Sequence, residues 1–379
     1  MKNFRFTKLI LMVLLFLGGL YAVCPAYLRK ALVYQTVDID DYKIFSNRTI
    51  IAGNYQPWEQ IDGLSSKTLP EKYTEDFEEY KTVAFLVAKN DKIVFEQYWD
   101  DYSENSLSNS FSMAKSIVSL MIGIAIDEGY IGSVDDPIGK YLPEFMIGER
   151  SKVTIRHLLE MSSGLSWDEA YASPFSMTTK GYYGQNLAEL VLTQESLYPP
   201  GEKHEFKSGN TQLLGLIIEA STGETMSTYA SQKLWKPMGA KNDALWSIDK
   251  EKGVEKAFCC FNSNARDFAR FGKLLLHDGM VNGKQVVSKS YMDKLDDPAL
   301  HLTDNNGNKV DYYSWQWWLM EYENHQVVYM RGVNGQYVFV IPDLDLVIVR
   351  LGHKRSKEKQ GVIPIDIYSY LEAGFELAK

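Results

Sequence analysis

One stretch of the sequence constrains the fold more than any other, because it is apolar on every side of a helix. From Ile117 to Ile126 only Ser119 and Gly123 interrupt a run of aliphatic and methionine side chains. A helix that is hydrophobic all round has to be buried, so the rest of the chain must surround it. The residues that follow, Asp127–Gly129, predict the end of this helix with a glycine stop.

The first turn of this helix carries Ser112 and, three residues later, Lys115. Residues three apart lie on the same face of a helix, so the lysine amine can reach the serine hydroxyl. Burial disfavours the ammonium form and lowers the pKa of a lysine. A neutral amine can take the serine proton and leave a nucleophile, while free backbone amides at the helix N-terminus face a developing oxyanion.

The same Ser-x-x-Lys spacing occurs twice more, at Ser247–Lys250 and at Ser356–Lys359. Both copies lie in charged, loop-like sequence that would leave the lysine solvated. The alternative for the first copy is a serine that caps the helix while its lysine points to water. Only the first copy opens a buried helix, so it is the candidate for catalysis.

Composition limits the remaining classes. The length of 379 residues suits one large domain or two interlocked ones, and a net charge of -9 argues against nucleic acid as a partner. Adjacent cysteines such as Cys259 and Cys260 cannot easily pair with each other, and Cys24 is distant in sequence. The cysteines and six histidines lack metal-ligand spacing, so we expect neither a metal nor an organic cofactor.

The N-terminus predicts an export or membrane segment. Three basic residues precede an apolar run from Leu9 to Val23, which is typical of a signal peptide or a signal anchor. Continued to Leu28, the run reaches the roughly 20 residues that span a bilayer. We expect residues 1–28 to form an uncleaved membrane anchor, with the rest outside the cytoplasm in the periplasm or at the cell surface.

Hydrophobic periodicity predicts strands at both ends of the remaining chain. Two segments form a hairpin, Val83–Ala88 and Ile93–Tyr98. Three more strands and a closing helix follow near the C-terminus, at 326–331, 336–341, 346–350 and 364–378. Helical patterns dominate between them, which predicts an α/β (α+β) fold with an antiparallel sheet flanked by helices. The expected organisation is a lead-in segment at 29–80 and a domain at 81–379 with a helical subdomain at roughly 112–250.

Several separated motifs occur in the order of a known family. They are Ser110–Ser116, His157–Leu165, Pro200–Gly201, Lys207–Gly215, Lys236–Gly239, Asp267–Gly272, Gln316–Trp318 and Gly332–Gln336. On these motifs the chain resembles the serine β-lactamase and penicillin-binding group from about Val83 to Arg350. The similarity is to the class C-like branch that includes esterases and 6-aminohexanoate-dimer hydrolases. The resemblance implies a β-lactamase/transpeptidase-like fold with Ser112 as nucleophile and Lys115 as its base.

The second motif of that family departs from its pattern here. Phe206 stands where the resemblance implies a catalytic tyrosine, and a missing acid–base group typically costs about 10²–10⁴-fold in rate. Ser208 keeps the polar position of the motif. Its side chain could hydrogen-bond Lys115, or it could simply cap a helix.

A replacement hydroxyl is implied by the loop that follows Ser163. It resembles the loop of the 6-aminohexanoate-dimer hydrolases that carries a second catalytic tyrosine, which matches Tyr171. We expect Tyr171 to close over the substrate and to donate to the leaving amine or the carbonyl. An ordinary packing role is the alternative, since the chain has 24 tyrosines.

The third motif corresponds to Met330–Gly332. Gly332 permits close approach to a strand edge, and the resemblance implies the Val333 N–H as a second oxyanion donor beside that of Ser112. Met330 replaces a basic or imidazole residue of the relatives. Arg331 could supply the missing charge, or strand alternation could turn it away from the site.

These observations predict a membrane-anchored, extracytoplasmic serine hydrolase that acts on a small-molecule or peptide ester or amide. The sequence leaves two alternatives open. The first is a non-catalytic binding protein on the same fold, suggested by Phe206 and Met330. The second is a D-alanyl-D-alanine-type peptidase or penicillin-binding protein.

Overall fold

The computed structural model describes residues 6–8, 11–12, 18–19, 21 and 23–379. Its strands, in chain order, are β1 (Ser46–Ile50), β2 (Glu59–Gln60), β3 (Thr82–Lys89), β4 (Lys92–Tyr98), β5 (Ser108–Asn109), β6 (Ala244–Ile248), β7 (Phe261–Ser263), β8 (Met280–Val281), β9 (Lys284–Gln285), β10 (Trp318–Tyr322), β11 (His325–Gly332), β12 (Gln336–Ile341), β13 (Leu346–Gly352), β14 (Lys359–Gln360) and β15 (Ile363–Pro364). Its α-helices from residue 26 onward are α1 (Ala26–Tyr34), α2 (Thr74–Glu79), α3 (Met113–Asp127), α4 (Ile155–Leu159), α5 (Met177–Tyr183), α6 (Leu187–Leu192), α7 (Ser208–Thr222), α8 (Met226–Ala230), α9 (Ala265–Leu276), α10 (Lys289–Met292) and α11 (Asp366–Leu377).

The main sheet has seven strands in the order β10-β11-β12-β13-β3-β4-β2. All neighbouring pairs are antiparallel except β2 with β4, which are parallel. Strands from the two ends of the chain therefore meet at the centre, where β13 pairs with β3. This confirms the predicted antiparallel sheet, its N-terminal hairpin and its three C-terminal strands.

Side chains alternate between the two faces of this sheet, as the period of a strand requires. Leu86 of β3 lies in one hydrophobic cluster, together with buried residues of α3 and α9. Its neighbours Phe85 and Val87 lie in a second cluster, which includes Ile367 and Tyr370 of α11. Helices thus cover both faces, and α3 is buried from Met113 to Ala125 as its all-round apolar sequence predicts.

A second sheet, in the order β1-β6-β7-β5, was not predicted. Its outer strand β1 belongs to the expected lead-in, and Ser46 pairs with Ile248 across about half the chain. The sheet matters for the site because β5 and β7 flank the segment that enters α3. The Ser110 amide donates to the Phe261 carbonyl at 2.8 Å, which fixes the chain two residues before Ser112.

The described part of the chain contains no helix long and apolar enough to cross a bilayer. Most of the run between Leu9 and Val23, on which the predicted anchor rests, lies outside the described residues. The anchor therefore stays a prediction. Immediately after this run, α1 packs against α5, with the Tyr34 ring stacked on that of Tyr183 at 6.4 Å.

Candidate active site

Ser112 stands at the N-cap of α3, with its side chain half-buried in a cleft. The preceding residue, Phe111, has a positive φ of 43°, an uncommon backbone conformation for a residue with a side chain. Lys115 follows one helical turn later, and its Nζ donates to Ser112 Oγ at 3.2 Å. The spacing in the sequence thus brings the two groups into hydrogen-bond contact, as predicted.

Lys115 is almost fully buried and forms no ion pair with a carboxylate among the described residues. Its Nζ donates to the Phe258 carbonyl at 2.8 Å and lies 5.0 Å from the centre of the Phe206 ring. Burial lowers the pKa of Lys115 to about 8, and the negative charge of Glu169 opposes that shift. Roughly a tenth of this amine is therefore neutral at pH 7, against less than a thousandth at the ordinary pKa of lysine, and the neutral form is the one that a general base requires.

Two backbone amides at the site have no hydrogen-bond partner in the described part of the chain. They belong to Ser112 and to Val333, and both residues line the cleft. Gly332 makes this approach of β11 to the nucleophile loop feasible, because a Cβ on it would lie 2.3 Å from the Ser110 carbonyl oxygen. Two free N–H groups beside a nucleophile are what an oxyanion hole needs.

A carboxylate that sequence reasoning missed, Glu169, links two of the predicted residues. Its Oε1 accepts from the Ser208 hydroxyl at 2.7 Å and from the Tyr171 hydroxyl at 2.6 Å. Its Oε2 accepts from the Ser208 amide at 2.7 Å. Of the two partners left open for the Ser208 side chain, Lys115 or a helix-cap amide, the described residues show neither, and the hydroxyl bonds Glu169 instead.

The Tyr171 ring is 57% exposed at the mouth of the cleft, while its hydroxyl is turned inward to Glu169. Desolvation of that hydroxyl and the negative charge of Glu169 raise its pKa well above the usual value. The phenol is thus a neutral proton donor at every physiological pH. Tyr171 thus lies at the cleft with Glu169 as its partner, and its catalytic role stays a prediction.

Phe206 lies beside Lys115, where the resemblance implies a tyrosine. Its ring packs against Tyr313 and Trp318, with centroid distances of 6.2 and 5.6 Å. It supplies no hydroxyl, and its ring contributes an apolar, aromatic neighbour to the buried Lys115 amine.

The orientation of Arg331, which the sequence left open, is toward the cleft. Met330 is fully buried in the core, whereas Arg331 lines the cleft and stacks on Trp318 at 3.3 Å from the ring centre. Arg355 and Lys359 line the same wall, and none of the three cations forms an ion pair among the described residues. Burial lowers the pKa of both Arg331 and Lys359, and Arg355 lowers each further.

The prediction that adjacent cysteines would not pair is wrong. Cys259 and Cys260 form a disulfide in the turn that leads into β7. The backbone turns sharply there, with a φ of 69° at Cys260, and this brings the two sulfur atoms together. Cys259 also lines the cleft, next to the Phe258 carbonyl that Lys115 contacts.

The cleft has a volume of about 1310 Å³ and is lined by Ser112, Tyr171, Ser208, Gly332 and Val333. The structure thus brings together every predicted site residue, and Lys115 joins this group through its hydrogen bond to Ser112. An unexpected part of the wall comes from the N-terminal region, through Ala31 of α1 and residues 35–37. No sequence motif points to that contribution.

Comparison with known proteins agrees with this architecture. A family model described as Beta-lactamase matches residues 71–365. The 6-aminohexanoate-dimer hydrolase of Paenarthrobacter ureafaciens is 28% identical over 315 residues, which cover 78% of each chain.

Two solved structures share the fold. A Bacillus anthracis protein named "Putative 6-aminohexanoate-dimer hydrolase" superposes with a TM-score of 0.77 at 22% identity, over 90% of this chain and 92% of the other. A family VIII carboxylesterase superposes with a TM-score of 0.64 at 15% identity, over 88% of this chain and 100% of the other.

Proposed function

The chain belongs to the beta-lactamase family, and from that membership we propose that it is a serine hydrolase that cleaves an ester or amide bond through an acyl-enzyme on Ser112. The observation that carries the proposal is the 3.2 Å contact between Lys115 Nζ and Ser112 Oγ, with a lysine pKa of about 8. Lys115 takes the hydroxyl proton while Ser112 attacks the carbonyl carbon. The Ser112 and Val333 amides stabilise the oxyanion.

The second proton transfer, to the leaving group, needs a donor on the cleft side of the nucleophile. Lys115 carries the proton taken from Ser112 and can pass it on. Tyr171 is the second donor, because its hydroxyl is neutral and already held in the cleft by Glu169. Ser208 is bonded to the same carboxylate and orients it. Water then attacks the acyl-enzyme, with the same groups acting in reverse.

The proposed substrate carries a negative charge away from the scissile bond. Arg331, Arg355 and Lys359 line one wall of the cleft without a carboxylate partner in the described part of the chain. Three cations so close to one another repel, and an anionic group of a ligand relieves that repulsion. The relatives named for the 6-aminohexanoate dimer suggest a linear amide, and the family VIII carboxylesterase suggests an ester.

We also propose that the N-terminal segment holds the enzyme at a membrane with its catalytic part outside the cytoplasm. The support is the basic start followed by the apolar run to Val23. The disulfide between Cys259 and Cys260 fits an oxidising compartment, where such bonds persist.

The test is intact-mass analysis of the full-length chain after treatment with a fluorophosphonate and, separately, with benzylpenicillin. We expect a fluorophosphonate adduct that is lost in Ser112→Ala and kept in Ser247→Ala, a control with the same Ser-x-x-Lys spacing. No adduct, together with equal ester hydrolysis by wild type and Ser112→Ala, would support a binding protein instead. A stable penicillin adduct on Ser112 would favour a penicillin-binding protein.

A further inference from the structure

The turn between Lys256 and β7 holds the disulfide formed by Cys259 and Cys260, two of the three cysteines in the chain. Both residues are buried, at 3% and 0% exposure. Hydrogen bonds fix the turn on its inner side, where the Cys259 carbonyl accepts from the Trp246 indole and the Cys260 carbonyl accepts from Asn262. The bond between the two sulfurs adds a covalent restraint across the same two residues.

This restraint lies between two carbonyls that hold the nucleophile segment. On the N-terminal side, the Phe258 carbonyl accepts from Lys115 Nζ at 2.8 Å. On the C-terminal side, the Phe261 carbonyl accepts from the Ser110 amide at 2.8 Å. The conformation of the turn therefore fixes both the general base and the entrance to α3. A shift of the turn would move the amine relative to the Ser112 hydroxyl.

Cys259 lines the cleft together with Phe258, although it is only 3% exposed. We expect a small thiol in the cleft to reach the sulfur through a local opening of the turn. Thiol–disulfide exchange needs such access for the attacking thiolate.

On this basis we propose that the Cys259–Cys260 disulfide is a redox-sensitive positioning site for Lys115, and that its reduction by a thiol lowers the rate of acylation at Ser112. The inference rests on the proposed hydrolase function. In the reaction a dithiol attacks one sulfur and the S–S bond breaks. Both cysteines end as thiols, which carry the two protons that the dithiol loses. The dithiol is oxidised to its own disulfide, so two electrons and two protons balance.

Loss of the S–S bond leaves the turn held by its hydrogen bonds alone, so the position of the Phe258 carbonyl is less tightly fixed. The Lys115 amine then samples geometries longer than 3.2 Å to Ser112 Oγ. A misplacement of about 1 Å in a catalytic group costs roughly 10²-fold, so we expect acylation to slow by about ten- to a hundredfold.

The first measurement is the pairing itself. Full-length protein prepared without reductant is unfolded, alkylated with iodoacetamide and weighed. One modified cysteine, Cys24, is expected before treatment with dithiothreitol, and three are expected after it. Three modified cysteines in the untreated protein would overturn the proposal.

The second measurement is the rate and the pH profile of fluorophosphonate labelling at Ser112, in oxidised and dithiothreitol-treated protein. The reduced protein should label more slowly, and the pH range over which its labelling rate rises should shift. The rate should recover when the reductant is replaced by oxidised dithiothreitol. Cys24→Ser should respond like wild type, whereas Cys259→Ser should be slow in both conditions.

Two outcomes separate the proposals. If the oxidised protein labels at Ser112 with a rate and pH profile that dithiothreitol leaves unchanged, the redox inference is overturned and the hydrolase function stands. If the oxidised protein forms no adduct at all, the hydrolase function fails and the redox inference fails with it. Reduction of the wild-type protein decides the matter even where Cys259→Ser does not fold.

Discussion

The Lys115 amine lies 5.0 Å from the centre of the Phe206 ring, and phenylalanine offers this amine no hydroxyl to hydrogen-bond. In the family that the chain resembles, this is the place of a tyrosine. Phe206 is itself among the residues that line the cleft. On the proposed hydrolase function, proton transfer uses other groups, and the site can be tested by restoring the missing hydroxyl.

Phe206→Tyr should raise the turnover of an amide substrate. The new hydroxyl would lie near Lys115 and offer a second acid–base group, which is worth up to about 10²-fold where proton delivery limits the rate. The measurement is kcat for a matched amide and ester pair. Unchanged kcat on both substrates would mean that proton delivery by the existing groups is not limiting.

Hydrolysis should depend on pH through the Lys115 amine. Only the neutral amine accepts the serine proton, so kcat/KM should rise with pH through an apparent pKa near 8. The negative charge of Glu169 raises the pKa of Lys115, so Glu169→Gln should move this limb to lower pH. Glu202→Gln, an exposed change outside the cleft, is the control and should leave the profile in place. A limb that moves to higher pH in Glu169→Gln would contradict the assignment.

Tyr171→Phe should separate amides from activated esters. An amine leaving group needs a proton, so we expect kcat for an amide to fall by about 10- to 100-fold. A nitrophenolate leaves without protonation, so a nitrophenyl ester should lose little. Equal losses on both substrates would point to a structural role for Tyr171, and no loss on either would remove it from the mechanism.

Gly332→Ala should damage both stability and catalysis. The added methyl group would lie 2.3 Å from the Ser110 carbonyl oxygen, so β11 has to move away from the nucleophile loop. Overpacking of this kind costs about 1–3 kcal/mol of unfolding free energy. Displacement of the Val333 amide should lower kcat by roughly 10²-fold or more. Thermal unfolding and ester kinetics measure the two effects, and a fully active, fully stable variant would exclude this oxyanion hole.

Removing charge from the cationic wall should weaken binding of anionic substrates. Arg355→Gln and Lys359→Gln should each raise KM for a carboxylate-bearing ester by about three- to tenfold. The neutral methyl ester of the same compound should be little affected. Lys357→Gln is the matched control, since Lys357 is exposed in the same segment and does not line the cleft. A similar KM change for the charged and neutral substrates would contradict an anion-binding wall.

Periodicity alone predicted the elements that are long and locally encoded. The apolar run after Ser116 predicted α3, and the short apolar segments around Phe85 and Tyr337 predicted strands at the centre of the main sheet. The smaller sheet was missed because its strands are short and pair over large separations, as Ser46 does with Ile248. Such pairing is decided by tertiary packing and leaves little local pattern.

The contact between Ser112 and Lys115 was predictable because the two residues are one helical turn apart, so local geometry fixes it. The contact of Glu169 with Ser208 was not predictable, because the two residues lie on different segments that only the fold brings together. Strand alternation alone could not orient Arg331, since that requires knowing which face borders the cleft. The pairing of Cys259 and Cys260 was not predictable, because the positive φ at Cys260 occurs without a glycine that would indicate a turn of this kind.

The helix α1 and the residues after it form part of the cleft wall, yet they precede the region from 71 to 365 that the family model matches. Ser112, Lys115, Glu169 and Val333 all lie inside that region. The proposed catalytic residues and this part of the cleft wall therefore come from different stretches of the chain. On the proposed function, exchange of residues 26–37 should change substrate preference and leave the proposed catalytic residues in place.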